Sequence, residues 1–261
     1  MTYHIFLQSR QKSTRYPNKI LKKICGKTIF ELIVERLKNV NDSKIFLITG
    51  PKEKNRELIK KSKDCNIEYF SGNENNVLDR FYNAIKNFDS KNIIRVTGDC
   101  PLIDYKLINS TQTIFNKNNY DLINNYSPRT FPHGYDFEIF KADIVKTTWD
   151  RISNTFNNKT LFESSVIPPM KFILNSSLFS IHNISNMLNL SFLRLTLDYH
   201  EDFQLISKIF DKLYLKNPHF SSNDVVSLLK SESDLLKINQ KFVKFNALEL
   251  EKFIQTNSSH S

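Results

Sequence analysis

The chain of 261 residues carries 37 Lys and Arg against 27 Asp and Glu, a formal net charge of +10, and 40% of it is hydrophobic, including 21 Phe and 10 Tyr. Such a composition fills a sizeable core and excludes a wholly disordered chain, and the length suits one large domain or one domain with an extension. No apolar run approaches the roughly 18 residues that span a bilayer, no signal-peptide pattern opens the chain, and Cys25, Cys65 and Cys100 are odd in number and widely spaced, so cytoplasmic residence, no membrane partner and three free thiols are expected.

Residues 3–7 form an apolar run of strand type, and a polar stretch over 8–18 follows directly. Arg10, Lys12, Arg15, Lys19, Lys22, Lys23 and Lys27 all precede the first carboxylate, Glu31, so this segment supplies most of the net charge and leaves the remainder nearly neutral. A basic loop at the carboxyl end of a strand is where an open α/β sheet binds polyphosphate; a solvated loop or an RNA-binding patch explains the charge as well. Thr28 and Glu31 have the spacing of a reciprocal cap, and Leu32, Ile33, Arg36 and Leu37 continue at helical spacing.

Strand-like runs at 44–49, 67–70, 93–97 and 121–124 then alternate with helical patterns at 52–63, 77–88 and 105–116. That rhythm predicts an α/β fold with a mainly parallel sheet flanked by helices. It breaks after about residue 125, where a loop with Pro128, Pro132 and Gly134 leads to a strand-like 135–140 and less regular segments to about 189, a region suited to a second substrate's pocket. A returning strand is predicted at 192–197, a helix at 202–215 and short amphipathic helices at 221–229 and 232–238, with 256–261 fraying; no repeat or flexible linker is evident.

Gly98 and Asp99 directly follow the strand at 93–97, and Asp198 ends the run at 192–197. Taken singly, each aspartate reads first as a turn residue or helix cap. As a pair at two strand ends beside a basic loop, they suit Mg²⁺, which nucleotide enzymes hold with one or two carboxylates plus phosphates and waters.

Several ordered blocks carry a family likeness. They are the run from Gln8 to Lys19, Asn76-Val77-Leu78-Asp79-Arg80, Arg95 to Asp104, Pro128 to Glu138, and Arg194-Leu195-Thr196-Leu197-Asp198 with Glu201-Asp202-Phe203. Together they resemble the cytidylyltransferases that activate acidic sugars such as 3-deoxy-manno-octulosonate and sialic acid, most of all the spore coat polysaccharide biosynthesis protein F branch. The resemblance implies a Rossmann-like, glycosyltransferase-A-like nucleotidyltransferase fold over 1–215, with a nucleotide half to about 125, an acceptor half beyond it, and a helical extension over 216–261.

It also implies transfer of CMP from CTP to a small acidic sugar or related acceptor, with Mg²⁺ as cofactor. In that scheme Arg10, Arg15 and Lys19 face the triphosphate and leaving pyrophosphate, Ser13 adds a hydrogen bond, Gly98 lets the strand end turn tightly, and Asp99 and Asp198 hold the metal. Leu7 and Gln8 would meet the cytosine. Asp79 and Arg80 would approach base and ribose, or else form an ion pair at a helix start. Arg129, His133, Gly134, Asp136 and Glu138 point to the acceptor, although a polar Pro-Gly loop is also what an exposed turn contains, and a lone loop histidine is a weak candidate for a general base.

Three positions depart from the pattern: Lys12 stands where a small residue is usual, Phe162-Glu163-Ser164 replaces an Arg-Glu-His stretch, and Tyr199-His200 replaces Thr-Pro. The competing expectations are a nucleotidyltransferase for another triphosphate or a phosphonate or phosphate acceptor, a catalytically silent relative, and a nucleic-acid-binding module. Of these, the module does not require acidic residues at two strand ends, so no nucleic-acid partner is expected; a homodimer through the terminal helices stays open.

Overall fold

The first strand, β1 (Tyr3–Gln8), lies between β4 (Ser43–Thr49) and β6 (Asn92–Thr97) and pairs in parallel with both. A computed structural model describes residues 2–155, 177–243 and 253. Its main sheet has seven strands in the order β5-β4-β1-β6-β8-β7-β9, where β5 is Glu68–Ser71, β7 Leu122–Asn124, β8 Phe137–Lys141 and β9 Ile181–Asn183. β8 runs antiparallel to β6 and β7, so the sheet is mixed beyond β6. A hairpin of β2 (Lys23–Ile24) and β3 (Lys27–Thr28), turning at Cys25 and Gly26, was not evident in the sequence pattern.

Helices α1 (Ile29–Leu37), α2 (Arg56–Asp64), α3 (Val77–Phe88), α4 (Tyr105–Lys117), α5 (Ala142–Thr155), α6 (His200–Leu213) and α7 (Ser222–Ser231) cover the sheet. Local chemistry starts several of them. Thr28 Oγ1 accepts from the Glu31 N–H at 3.2 Å while Glu31 Oε2 accepts from the Thr28 N–H at 2.7 Å, the reciprocal cap predicted for α1. Asn76 caps α3 and Asp104 caps α4 in the same sense.

Alternation along the strands divides the core. Tyr3, Ile5 and Leu7 pack with α1 and α6, whereas Phe6, Phe46 and Ile48 pack with Phe81 and Ile85 of α3 and Val145 of α5. Val225, Leu229, Leu235 and Phe253 join the first cluster, and the buried Arg36 donates from α1 to the Phe220 carbonyl at 2.7 Å, so the C-terminal helices share the main core. Among the described residues no helix is long and apolar enough to cross a membrane, and Cys25, Cys65 and Cys100 are free.

Four expectations need correction. Residues 192–197 make no strand of the sheet: Arg194 forms an isolated bridge to His133, and the Leu195 N–H donates to the His133 carbonyl at 2.7 Å. Leu193, Leu195 and Leu197 are fully buried, as on one face of a strand, but the backbone partners are loop residues. The helix expected over 52–63 breaks at Asn55 into a short turn and α2, and 232–238 forms a tight 3₁₀ turn. Helix α5 and strand β9 occupy part of the segment expected to be irregular.

Candidate active site

After β1 the chain moves outward to β4 and β5, then returns to place β6 on the other side of β1. Ligands collect outside the carboxyl ends of strands where the order reverses in this way. Gln8 and Thr97, opposite each other in register at the ends of β1 and β6, therefore mark the expected place. A cleft of about 280 Å³ opens there, lined by Gln8, Arg10, Ser13, Arg15, Lys19, Arg80, Gly98, Asp99 and Asp198 among others.

Lys19 sits where a 3₁₀ turn over Lys19–Leu21 buries the neighbouring Ile20. Its Nζ donates to the Leu197 carbonyl at 2.6 Å and to Asp198 Oδ1 at 3.0 Å, and lies 3.9 Å from Asp99 Oδ2. The two predicted carboxylates thus converge on one cation. Asp99 is oriented by Thr97 Oγ1, which donates to its Oδ1 at 2.5 Å, and the Leu197 N–H donates to its backbone carbonyl at 2.8 Å. Asp198 also pairs with Arg15 at 2.9 Å and Arg194 at 3.5 Å. Asp202, fully buried at the start of α6, accepts from the Asp198 and Tyr199 N–H groups and grips Arg194 with both carboxylate oxygens.

The loop between Ser9 and Asn18 is pinned at Gln11, whose N–H donates to Asn55 Oδ1 at 2.8 Å. Arg10 is half-exposed and 3.6 Å from Glu74. Arg80 donates to the Asn73 carbonyl at 2.7 Å, and burial lowers its pKa to about 10. Gly98 is required by contact: a Cβ there would meet Ser9 Oγ at 2.3 Å. Five cationic side chains (Arg10, Arg15, Lys19, Arg80, Arg95) and three carboxylates (Glu74, Asp99, Asp198) line the cleft, an excess of positive charge suited to a polyanion.

The donor set fits a hard divalent ion only with help from a ligand. Asp99 and Asp198 both bring an oxygen within 4 Å of one ammonium group, and among the described residues no cluster of three or more His, Cys, Asp or Glu could hold a metal by itself. That is the pattern of an ion completed by phosphate and water oxygens.

Other nominated residues stand elsewhere. Leu7 is fully buried in the core and lines no part of the cleft, because its face of β1 turns toward α1. Asp79 is occupied with Asn83 one turn along α3 and forms no ion pair with Arg80. Arg129 and Asp136 bind each other through two bonds of 2.5 and 2.6 Å, and Glu138 is buried against Arg95 and Tyr126. His133 lines a separate cavity of about 320 Å³ with Arg194 and Phe242, and burial lowers its pKa. Gly134 has φ +118°, and a Cβ on it would meet the Leu195 carbonyl at 2.4 Å. Lys12 is exposed and outside the cleft, Tyr199 stacks on Phe242 at 4.0 Å, and Phe162-Glu163-Ser164 lies outside the described residues.

Sequence reasoning gave no role to Ser9, Thr14, Glu74, Asn75, Val77, Arg95 or Thr97, all of which line the cleft. Arg95 was the readable one, a charged residue inside an otherwise apolar strand.

A family model described as cytidylyltransferase matches residues 5–217, most of the chain. The chain belongs to the cytidylyltransferase family. The match covers most of β1, the basic loop and both acidic residues, and it makes the protein a nucleotidyltransferase. The cytidylyltransferase superposes on a solved cytidylyltransferase from Leptospira borgpetersenii serovar Hardjo-bovis with a TM-score of 0.80 and 27% identity, covering 90% of this chain and 97% of that one. It is 28% identical to an uncharacterized protein of Methanocaldococcus jannaschii over 94% of this chain and 98% of that protein. It is 25% identical to the spore coat polysaccharide biosynthesis protein SpsF of Bacillus subtilis over 87% of this chain and 94% of that protein.

Proposed function

We propose that this cytidylyltransferase transfers CMP from CTP to a hydroxyl of a sugar acid or related acceptor and releases pyrophosphate, in the synthesis of a surface polysaccharide or glycoconjugate. The observation that carries the reading is the meeting of Asp99 and Asp198 on Lys19, inside a cleft with Arg10 and Arg15 at its side. In-line attack on the α-phosphorus needs the phosphate held in one orientation and the charge of the departing pyrophosphate balanced.

The chain's own cations do much of that. Lys19 acts as a point charge, and the forks of Arg10 and Arg15 suit paired phosphate oxygens. Arg15 leaves Asp198 for phosphate when the nucleotide binds, because Asp198 retains Lys19 and Arg194. Ser13 and loop amides add hydrogen bonds. A divalent ion, with Mg²⁺ the expected one, would be held by Asp99 and Asp198 and would neutralise phosphate charge and lower the pKa of the attacking hydroxyl.

Similarity to the spore coat polysaccharide biosynthesis protein SpsF of Bacillus subtilis supports the polysaccharide setting. Acceptor contacts are assigned to the side of the cleft toward Arg129, His133 and Gly134, and Arg129 must exchange Asp136 for any acidic acceptor it binds. The test is pyrophosphate release from CTP and Mg²⁺ across a panel of sugar acids, phosphates and phosphonates, with Asp198→Asn as control. Release with one acceptor class, lost in the variant, is expected; release from another triphosphate in preference to CTP would refute the reading.

A further inference from the structure

A buried polar chain crosses the sheet behind the cleft. Arg95 Nε donates to Gln8 Oε1 at 2.8 Å, and a terminal nitrogen of the same guanidinium donates to Glu138 Oε1 at 2.6 Å. The Tyr126 hydroxyl donates to that Glu138 oxygen as well. Glu138 is 2% exposed and Arg95 8%, while Gln8 is half-buried and lines the cleft. A guanidinium nitrogen only donates, so the Gln8 amide oxygen must face Arg95. Its amide N–H₂ has no partner among the described residues and remains as a fixed donor at the cleft wall.

A buried ion pair of this kind is weak evidence for stability, since desolvation offsets most of the attraction. Burial pushes the Glu138 carboxyl up against the opposing pull of Arg95; burial alone would lower Arg95, but Glu138 and Tyr126 outweigh it and keep the guanidinium charged. What the chain does accomplish is to permit only one orientation of the Gln8 amide.

We infer that Gln8, oriented by Arg95 and Glu138, donates to the base of the bound nucleotide and sets the preference for cytosine over uracil. Cytosine presents two adjacent acceptors, O2 and N3, on its pairing edge. Uracil keeps the O2 acceptor but carries a proton on N3, so a donor aimed at N3 meets another donor and both lose a partner. Gln8 is then the specificity-determining contact, and Arg95 and Glu138 are positioning residues that act through it. The inference rests on the CTP reading above.

The test is calorimetric binding of CTP and UTP with Mg²⁺ to the wild type, to Gln8→Glu and to the double variant Arg95→Met, Glu138→Gln. Wild type is expected to prefer CTP by about tenfold or more. In Gln8→Glu the introduced carboxylate still accepts from Arg95 but turns an acceptor toward the base. Its charge repels both triphosphates alike, so the CTP-to-UTP ratio isolates the base contact, and that ratio should fall to about one or invert. The double variant frees the amide to flip and should lose preference while its thermal melt shows a folded protein. If that variant does not fold, Gln8→Glu decides, because its side chain is at the cleft wall. CTP binding with an unchanged ratio in Gln8→Glu would overturn the inference alone; a wild type that binds no CTP would overturn the nucleotide reading with it.

Discussion

Asp99 and Asp198 are distant in sequence but joined by a single backbone hydrogen bond, from the Leu197 N–H to the Asp99 carbonyl at 2.8 Å. Thr196 Oγ1 reinforces it with a second bond to the same carbonyl at 3.1 Å. The extended segment before Asp198 is therefore sewn to the turn after β6, and the spacing of the two carboxylates is a property of the backbone.

Asp99→Asn and Asp198→Asn should consequently leave the fold intact and remove the chemistry. Each keeps the side-chain shape and loses the charge that would hold the metal, which predicts a fall in turnover of about 10²–10³-fold. Pyrophosphate release measured beside a thermal melt checks this. Near-normal turnover in both variants would remove these residues from the reaction.

Lys19→Ala should weaken CTP more than CMP. Its side chain is only 13% exposed and its ammonium lies within 4 Å of both aspartates, where a leaving pyrophosphate needs balancing charge. Titration of both nucleotides into the variant distinguishes the outcomes; equal losses would place Lys19 away from the β- and γ-phosphates.

Two glycines predict different failures. Gly134→Ala adds a Cβ 2.4 Å from the Leu195 backbone at a φ of +118°, and nothing there can yield cheaply. A destabilisation of about 2–4 kcal/mol is expected, with turnover falling because the strand-like segment bearing Asp198 must shift. Gly98→Ala instead meets Ser9 Oγ at 2.3 Å and Ser9 Cβ at 2.8 Å, so the hydroxyl can rotate away but the Ser9 loop must also shift; without a positive φ to strain, the loss of stability should be smaller and the KM for CTP should rise. Urea unfolding and steady-state kinetics on both variants separate the cases, and equal unfolding midpoints would contradict the contrast.

The signals that were legible in the sequence are local ones. The Thr28 and Glu31 cap, the first strand and the glycine before Asp99 each depend on near neighbours, and all occur as read except that the strand runs one residue further, to Gln8. Residues 192–197 misled because burial on alternate positions is common to sheet strands and to extended chain bonded to loops. The resemblance alone pointed Arg129 and Glu138 toward an acceptor, and the ion pairs they make within the fold were not legible in the sequence. Their partners, Asp136 and Arg95, depend on a turn geometry and on antiparallel register between β6 and β8 that no spacing rule reveals.

Acid should remove one identifiable part of the stability. Burial would raise the Glu31 carboxyl, but two hydrogen bonds from Thr28 and the Lys61 ammonium lower it to about 2 from an ordinary 4.5. A depressed carboxyl stabilises the fold fully above its ordinary pKa and loses that contribution as pH falls toward the folded value. Glu31→Gln should therefore cost about 1 kcal/mol at neutral pH and progressively less between 4.5 and about 2. Denaturant unfolding of both proteins across that range checks it, and a difference independent of pH would show that the charge contributes nothing.

The fate of the α-phosphate decides the function most directly. Phosphorus NMR of CTP turned over with Mg²⁺ and the best acceptor from the panel should show a new phosphodiester between CMP and the acceptor, formed in equal amount with pyrophosphate and absent with Asp198→Asn. Appearance of CDP with inorganic phosphate, or of pyrophosphate with free CMP and unmodified acceptor, would contradict nucleotidyl transfer.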